Sequence, residues 1–249
     1  MFLLTFRFLF AYTPLCLTER IASLQNAMAA HPIPAGSALP SPAKPWALPR
    51  QGLSLFYGCP EMPRLFHYFL PQALLAGRQI LCLDGANRFD PLLIARFARQ
   101  RGVPAALFNQ RLRVARAFTC FQLTELLARL PRLLRNFSAG ALMVTALPDL
   151  YFDEDVREAA AGASFQQALG HLRRVSRLLP VAVFSDATSF TTPRQRFFRA
   201  LTGEAHRVWK FTVREDRSLA FACEKNHLPL PAPKEIPDGP HRSHIPPTD

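Results

Sequence analysis

Residues 79–91, QILCLDGANRFDP, constrain the fold more than any other stretch of the chain. Ile80, Leu81, Cys82 and Leu83 form a continuous apolar run that ends in the turn signal Asp84-Gly85. An apolar helical pattern follows at once in Leu92, Leu93, Ile94 and Phe97. A short apolar run, a turn and then a helix describe one βα step of a buried parallel sheet, because a strand covered on both faces has no polar side to alternate with. Similar runs lie at 53–57, 141–144 and 181–184, each next to a helix-like segment. The chain therefore reads as an α/β protein with a mostly parallel sheet.

The rest of the chain fits around that core. Residues 1–27 are apolar but are broken by Arg7 and Pro14. They read as a mis-start upstream of Met28 or as a membrane anchor, although they are short for a span, a membrane partner is not expected, and they lack the pattern of a secretory signal. Residues 28–51 carry repeated prolines and read as an extended linker whose Trp46 tucks against the core. Residues 52–228 form the domain, and the proline-rich 229–249 read as a disordered tail in which His241 and His244 are solvated rather than metal ligands. Within the domain, helices are expected at 64–76 (Phe66, Phe69 and Leu70 inward), at 91–101 and at 164–179 (Leu169, Leu172, Val175 and Leu178 inward). The Leu123, Leu126, Leu127, Leu130 pattern predicts another helix, interrupted at Pro131. A turn is expected at 102–104, a strand at 112–115, and a hairpin from 207–213 and 218–223.

The net charge is +12, and 26 of the 30 basic residues are arginine. Guanidinium forks suit phosphate, whereas GC-rich codon usage explains Arg over Lys but explains the excess of base over acid less well. Residues 96–135 hold nine arginines and one acid, Glu125. Such an imbalance repels itself without an anionic partner, unless it is only a solvated helix face. Five scattered cysteines without a C-x-x-C argue against a structural metal or a disulfide framework and fit a reducing, cytoplasmic setting. No Ser/His/Asp or Cys/His arrangement suggests a nucleophile.

Three stretches carry a resemblance: Tyr-Gly-Cys-Pro-Glu-Met-Pro-Arg-Leu at 57–65, Leu-Asp-Gly-Ala-Asn-Arg-Phe-Asp-Pro at 83–91, and Arg-Val-Ala-Arg-Ala-Phe-Thr at 113–119. In order and spacing the chain resembles the ATPase core of the RecA/Rad51 recombinase family, over roughly residues 52–225. The resemblance implies a RecA-like P-loop NTPase fold, with helices on both faces of the sheet and a C-terminal antiparallel extension. It also implies where the family's chemistry belongs, and those positions are altered. In the phosphate loop G-x-x-x-x-G-K-[ST], Gly58 is kept. Pro63 replaces the second Gly, Arg64 the Lys and Leu65 the hydroxyl residue, so an N–H donor and a Mg²⁺ ligand are lost. After Asp84, the family's water-polarising Glu is Ala86. The Walker B Asp is Thr145, with Asp149 too far along to replace it. The γ-phosphate-sensing Asn or Gln is Ser185.

Four altered positions together imply a catalytically inactive pseudo-ATPase that works by binding, with no metal and no cofactor required and residual ATP binding left open. The partners implied are single-stranded DNA, a recombinase or DNA polymerase, or both, in DNA repair or recombination. The segment 188–199, in the place of the family's second DNA-binding loop, interleaves Phe190, Phe197 and Phe198 with Arg194, Arg196 and Arg199. Cations for the backbone and rings for the bases are what single strands require. Alternatively, Phe197 and Phe198 begin a helix and pack inward. The acidic stretch at 153–158 counts against DNA contact there. Two other functions stay open: an unorthodox ATPase using Arg64 and Asp84, and a purely structural protein-interaction module.

Overall fold

A computed structural model describes residues 48–214 and 219–227. The expectations for residues 1–47, Trp46 included, for the hairpin turn at 215–218 and for the tail from 228 lie outside the described residues. Seven strands form one sheet in the order β3-β2-β4-β5-β1-β6-β7. They are β1 (Leu53–Tyr57), β2 (Ile80–Asp84), β3 (Leu112–Arg116), β4 (Ala141–Thr145), β5 (Val181–Phe184), β6 (Arg207–Val213) and β7 (Leu219–Asn226). All neighbours pair in parallel except β6 and β7, which pair antiparallel with a register shift at Val208/Trp209. The expected α/β architecture is present, including its C-terminal antiparallel pair.

β1, β2, β4 and β5 are buried along their whole length. This is why the sequence shows runs there instead of alternation: period-two placement sends neighbours into two different cores. Leu53, Leu55, Leu81, Leu83, Leu142, Val144, Val181 and Val183 face one core, closed by α5 (Cys120–Ala128), α6 (Leu130–Asn136), α7 (Glu158–Ser176) and α8 (Gln195–Glu204). Phe56, Ile80, Cys82, Met143, Ala182 and Phe184 face the other. That core is closed by α1 (Met62–Leu65), a 3₁₀ turn (Phe66–Phe69), α2 (Leu70–Leu75), α3 (Pro91–Gln100) and α4 (Ala105–Gln110). Its centre is aromatic. Phe56 stacks on Phe184 at 5.0 Å, and Phe69 meets both rings edge-on.

Several elements differ from the sequence expectation. The helix expected at 64–76 is three short pieces, with Pro63 and Pro71 in the first turns of α1 and α2. Proline lacks the N–H that would continue the ladder, so each one restarts the helix. Phe66, Phe69 and Leu70 are nevertheless buried as expected. α4 follows the turn at 102–104 and had no readable face, since Phe108 is its single buried residue. Pro131 sits in the first turn of α6 and divides it from α5. α7 starts six residues before the expected 164 and ends at Ser176, which leaves Leu178 outside it and 78% exposed rather than inward. Among the described residues, no helix is long and apolar enough to cross a membrane.

Candidate functional site

In a parallel sheet every carboxyl end lies on one edge, and ligands of open α/β sheets bind there, where connections leave in opposite directions. Three such places occur here, at β3/β2, β2/β4 and β5/β1. The chain after β1 and β2 crosses the aromatic face, whereas after β3, β4 and β5 it crosses the opposite face. The altered motif positions follow β1, β2, β4 and β5, which are four consecutive strands in the sheet. Gly58, Asp84, Ala86, Thr145 and Ser185 therefore share one edge, as the spacing requires. Pro63, Arg64 and Leu65 lie one turn further on, in α1.

The loop after β1 is closed on itself. Gly58 has φ +114°, and a Cβ there would lie 2.4 Å from the Phe211 carbonyl oxygen, so glycine is required for the approach to β6. The Met62 N–H donates to the Cys59 carbonyl at 3.0 Å. The Arg64 and Leu65 N–H groups both donate to the Glu61 carbonyl. The N–H groups of Glu61 and Met62 also interact with the Cys59 sulfur. Pro60 and Pro63 have no N–H to offer. Burial, and then the charge of Glu61, push the Cys59 thiol up to about 11, so it stays protonated. A loop whose donors are aimed inward in this way makes a poor phosphate cradle. The Arg64 side chain is exposed, and Pro63 and Leu65 are buried.

Between β2 and β4 the backbones meet directly. A Cβ on Gly85 would lie 2.6 Å from the Thr145 carbonyl oxygen. Asp84 is fully buried and is committed to its own loop: it accepts from the Arg88 N–H (3.1 Å), the Phe89 N–H (2.9 Å) and the Thr145 hydroxyl (3.0 Å). The Thr145 oxygen in turn accepts from the Ala86 N–H at 3.0 Å. Arg116 lies 3.7 Å from the same carboxylate. Asp84 thus organises the loop as a turn-capping carboxylate, and Thr145 joins β4 to it. His67, which had no sequence signal beyond its type, is clamped behind this loop. Its Nδ1–H donates to the Arg64 carbonyl (2.7 Å), and its Nε2 accepts from the Asp90 N–H (2.9 Å). Burial lowers its pKa, which keeps the ring neutral.

Asp149 is closer to the strand ends than its spacing indicates. Ala146 adopts φ +56° and turns the chain back within one residue of β4. Asp149 then accepts from the Ser185 hydroxyl at 2.6 Å and from the Asp186 N–H at 3.1 Å, which links the loops after β4 and β5. Burial, followed by the neighbouring charge of Asp186, pushes the Asp149 carboxyl well above the ordinary carboxylate range. The β4–β5 corner therefore holds a buried carboxyl, Asp149, that favours its protonated form. Among the described residues, no three His, Cys, Asp or Glu side chains converge as metal ligands.

The segment 188–199 is divided by the fold. Arg194 is buried, and its guanidinium donates to the carbonyls of Tyr151 (3.1 Å), Asp153 (2.5 Å) and Val156 (2.5 Å). α8 starts at Gln195, so Phe197 is buried and stacks on Phe165 at 4.7 Å, while Phe198 meets Tyr57 edge-on at 5.0 Å. The inward alternative thus describes these two rings. Phe190, Arg196 and Arg199 remain at the surface, and Arg196 pairs with Glu158 at 2.5 Å. The structure does not gather the six residues into one surface: three serve packing and three face solvent. The acidic stretch is also tied down through its carbonyls, which the charge pattern alone did not reveal.

The chain matches no known family model and no curated protein.

Proposed function

We propose that this protein is a RecA/Rad51-like domain without ATPase activity, acting as an accessory factor that binds DNA or a recombinase or polymerase partner in repair or recombination. The observation that carries the reading is the alignment of the altered motif positions with the carboxyl ends of four adjacent parallel strands. That placement is what the reading requires of them, and it follows from the parallel sheet itself, since every carboxyl end lies on that edge. The closed β1 loop and the committed Asp84 and Thr145 support the inactive half of the reading. Fold analogy supplies the biological setting and is an associational argument.

A protein partner has separate support. The hairpin face that carries Trp209, Val213 and Phe221 continues the aromatic core outward, with Val213 and Phe221 nearly half exposed. The deciding experiment is calorimetric titration of the protein with ATP·Mg²⁺, next to anisotropy titration with labelled single-stranded DNA across a salt series. Salt-dependent DNA binding that ignores ATP is the expected result. ATP binding that is lost in Arg64→Ala would instead establish the unorthodox ATPase, and the absence of DNA binding at low salt would leave the protein-interaction module.

A further inference from the structure

Nine arginines and Glu125 give residues 96–135 a net charge of +8 within the chain's +12, and the fold collects part of this charge at one sheet edge. Among the described residues β3 has a single strand neighbour, β2, and no strand pairs with its other side. Arg113 projects from β3 onto the face covered by α5–α8, where its guanidinium lies 5.2 Å from the centre of the Phe137 ring. Phe137 follows α6 directly, so the exposed Arg132 and Arg135 of that helix belong to the same side. The guanidinium groups of Arg132 and Arg135 make no hydrogen bond or ion pair among the described residues, whereas that of Arg113 donates to the carbonyls of Leu112 (3.4 Å) and Asn109 (3.5 Å) and has no acidic partner. At the carboxyl end of β3, Phe118 is 63% exposed, and Phe121, in the first turn of α5, is 49% exposed. That turn contains no acid.

Charge on an open edge strand commonly serves to block strand pairing. Blocking does not require two large rings beside the charge, and such rings would favour association. Arginines without acidic partners along the β3 edge, with solvent-facing phenylalanines at its carboxyl end, match the two demands of a single-stranded nucleic acid, which are phosphate neutralisation and base stacking. The segment 188–199 meets these demands less well, because Arg194 and Phe197 are buried and Arg196 is paired.

We infer that the β3 edge, with Arg113, Arg132, Arg135, Phe118 and Phe121, is a binding surface for single-stranded nucleic acid. The inference rests on the DNA-binding half of the proposed function and relocates its interface. The full chain is titrated with a fluorescent oligothymidylate over a salt series and compared with two variants and a control. In Arg113/Arg132/Arg135→Ala, the slope of log affinity against log salt falls by about 2, from about 0.7 per phosphate contact on a single strand. In Phe118/Phe121→Ala, affinity at fixed salt falls about tenfold for each ring while the slope is kept. Each variant tests the surface separately, so misfolding of one leaves the other decisive. If both variants bind like the wild type and Arg196/Arg199→Ala binds more weakly, this interface is wrong and the DNA-binding reading stands. If the wild type does not bind at low salt, both are overturned.

Discussion

Replacing Arg194 with Met separates a structural from a nucleic-acid role for the most buried arginine of the 188–199 segment. The guanidinium holds three carbonyls, those of Tyr151, Asp153 and Val156, and so fastens the connection between β4 and α7 to the start of α8. A hydrogen bond to a charged group contributes about 1.5–3 kcal/mol net. Three of them set an upper limit that is reduced by the several kcal/mol of desolvation relieved when the charge is removed. Met fills the space of the aliphatic stem but leaves three carbonyls in search of water. The expected net destabilisation is about 3 kcal/mol, which for a domain of this size lowers Tm by roughly 6–12 °C. Thermal unfolding followed by circular dichroism measures this. DNA affinity, measured on folded protein well below that Tm, should stay within about twofold of the wild type. A variant that melts with the wild type but binds DNA ten times more weakly would refute the argument, because Arg194 would then have to reach solvent and ligand.

Three further outcomes follow from the site geometry. The raised pKa of Asp149 means that the folded state holds its proton more tightly than the unfolded chain does. The associated stability is full below the unfolded value of about 3.9 and declines as pH rises toward the folded value. Asp149→Asn should therefore gain stability relative to the wild type with rising pH in urea unfolding, and a deficit that is constant at every pH contradicts this. Gly58→Ala combines a positive φ with a Cβ 2.4 Å from the Phe211 oxygen. A loss of about 3 kcal/mol or more is expected in the same assay, and wild-type stability would show that β6 yields freely. The His67 pKa is lowered, so its contribution is present above about 6.5 and is lost as pH falls toward the folded value. An NMR titration of the ring should show a midpoint below 6.5, and a midpoint at or above that value rules out the buried neutral ring.

The strands and the main helix faces were legible because they depend on local pattern. Leu53–Tyr57 and Val181–Phe184 are the observed β1 and β5 to the residue, since a strand buried on both faces must be apolar throughout. Gly58 was legible as a special position, but its structural reason was not: the Phe211 carbonyl it accommodates comes from a strand about 150 residues away. The same limit applies to Arg194 and Phe197. Interleaved cations and rings read alike whether they face solvent or fill a core, and the choice was made by the packing of α8 against Phe165 and by the carbonyls of the 151–156 connection.

By itself, the sequence determined the class of the fold, the positions of its buried strands and the excess of arginine. Each of these follows from side-chain chemistry within a few residues of itself. Tertiary structure decided where the charge is displayed, which loop donors are already occupied, and that Asp149, after β4, meets Ser185 at the end of the adjacent β5. Those outcomes depend on the order β2-β4-β5-β1, which brings together chain ends far apart in sequence, and a local pattern contains no record of such approaches.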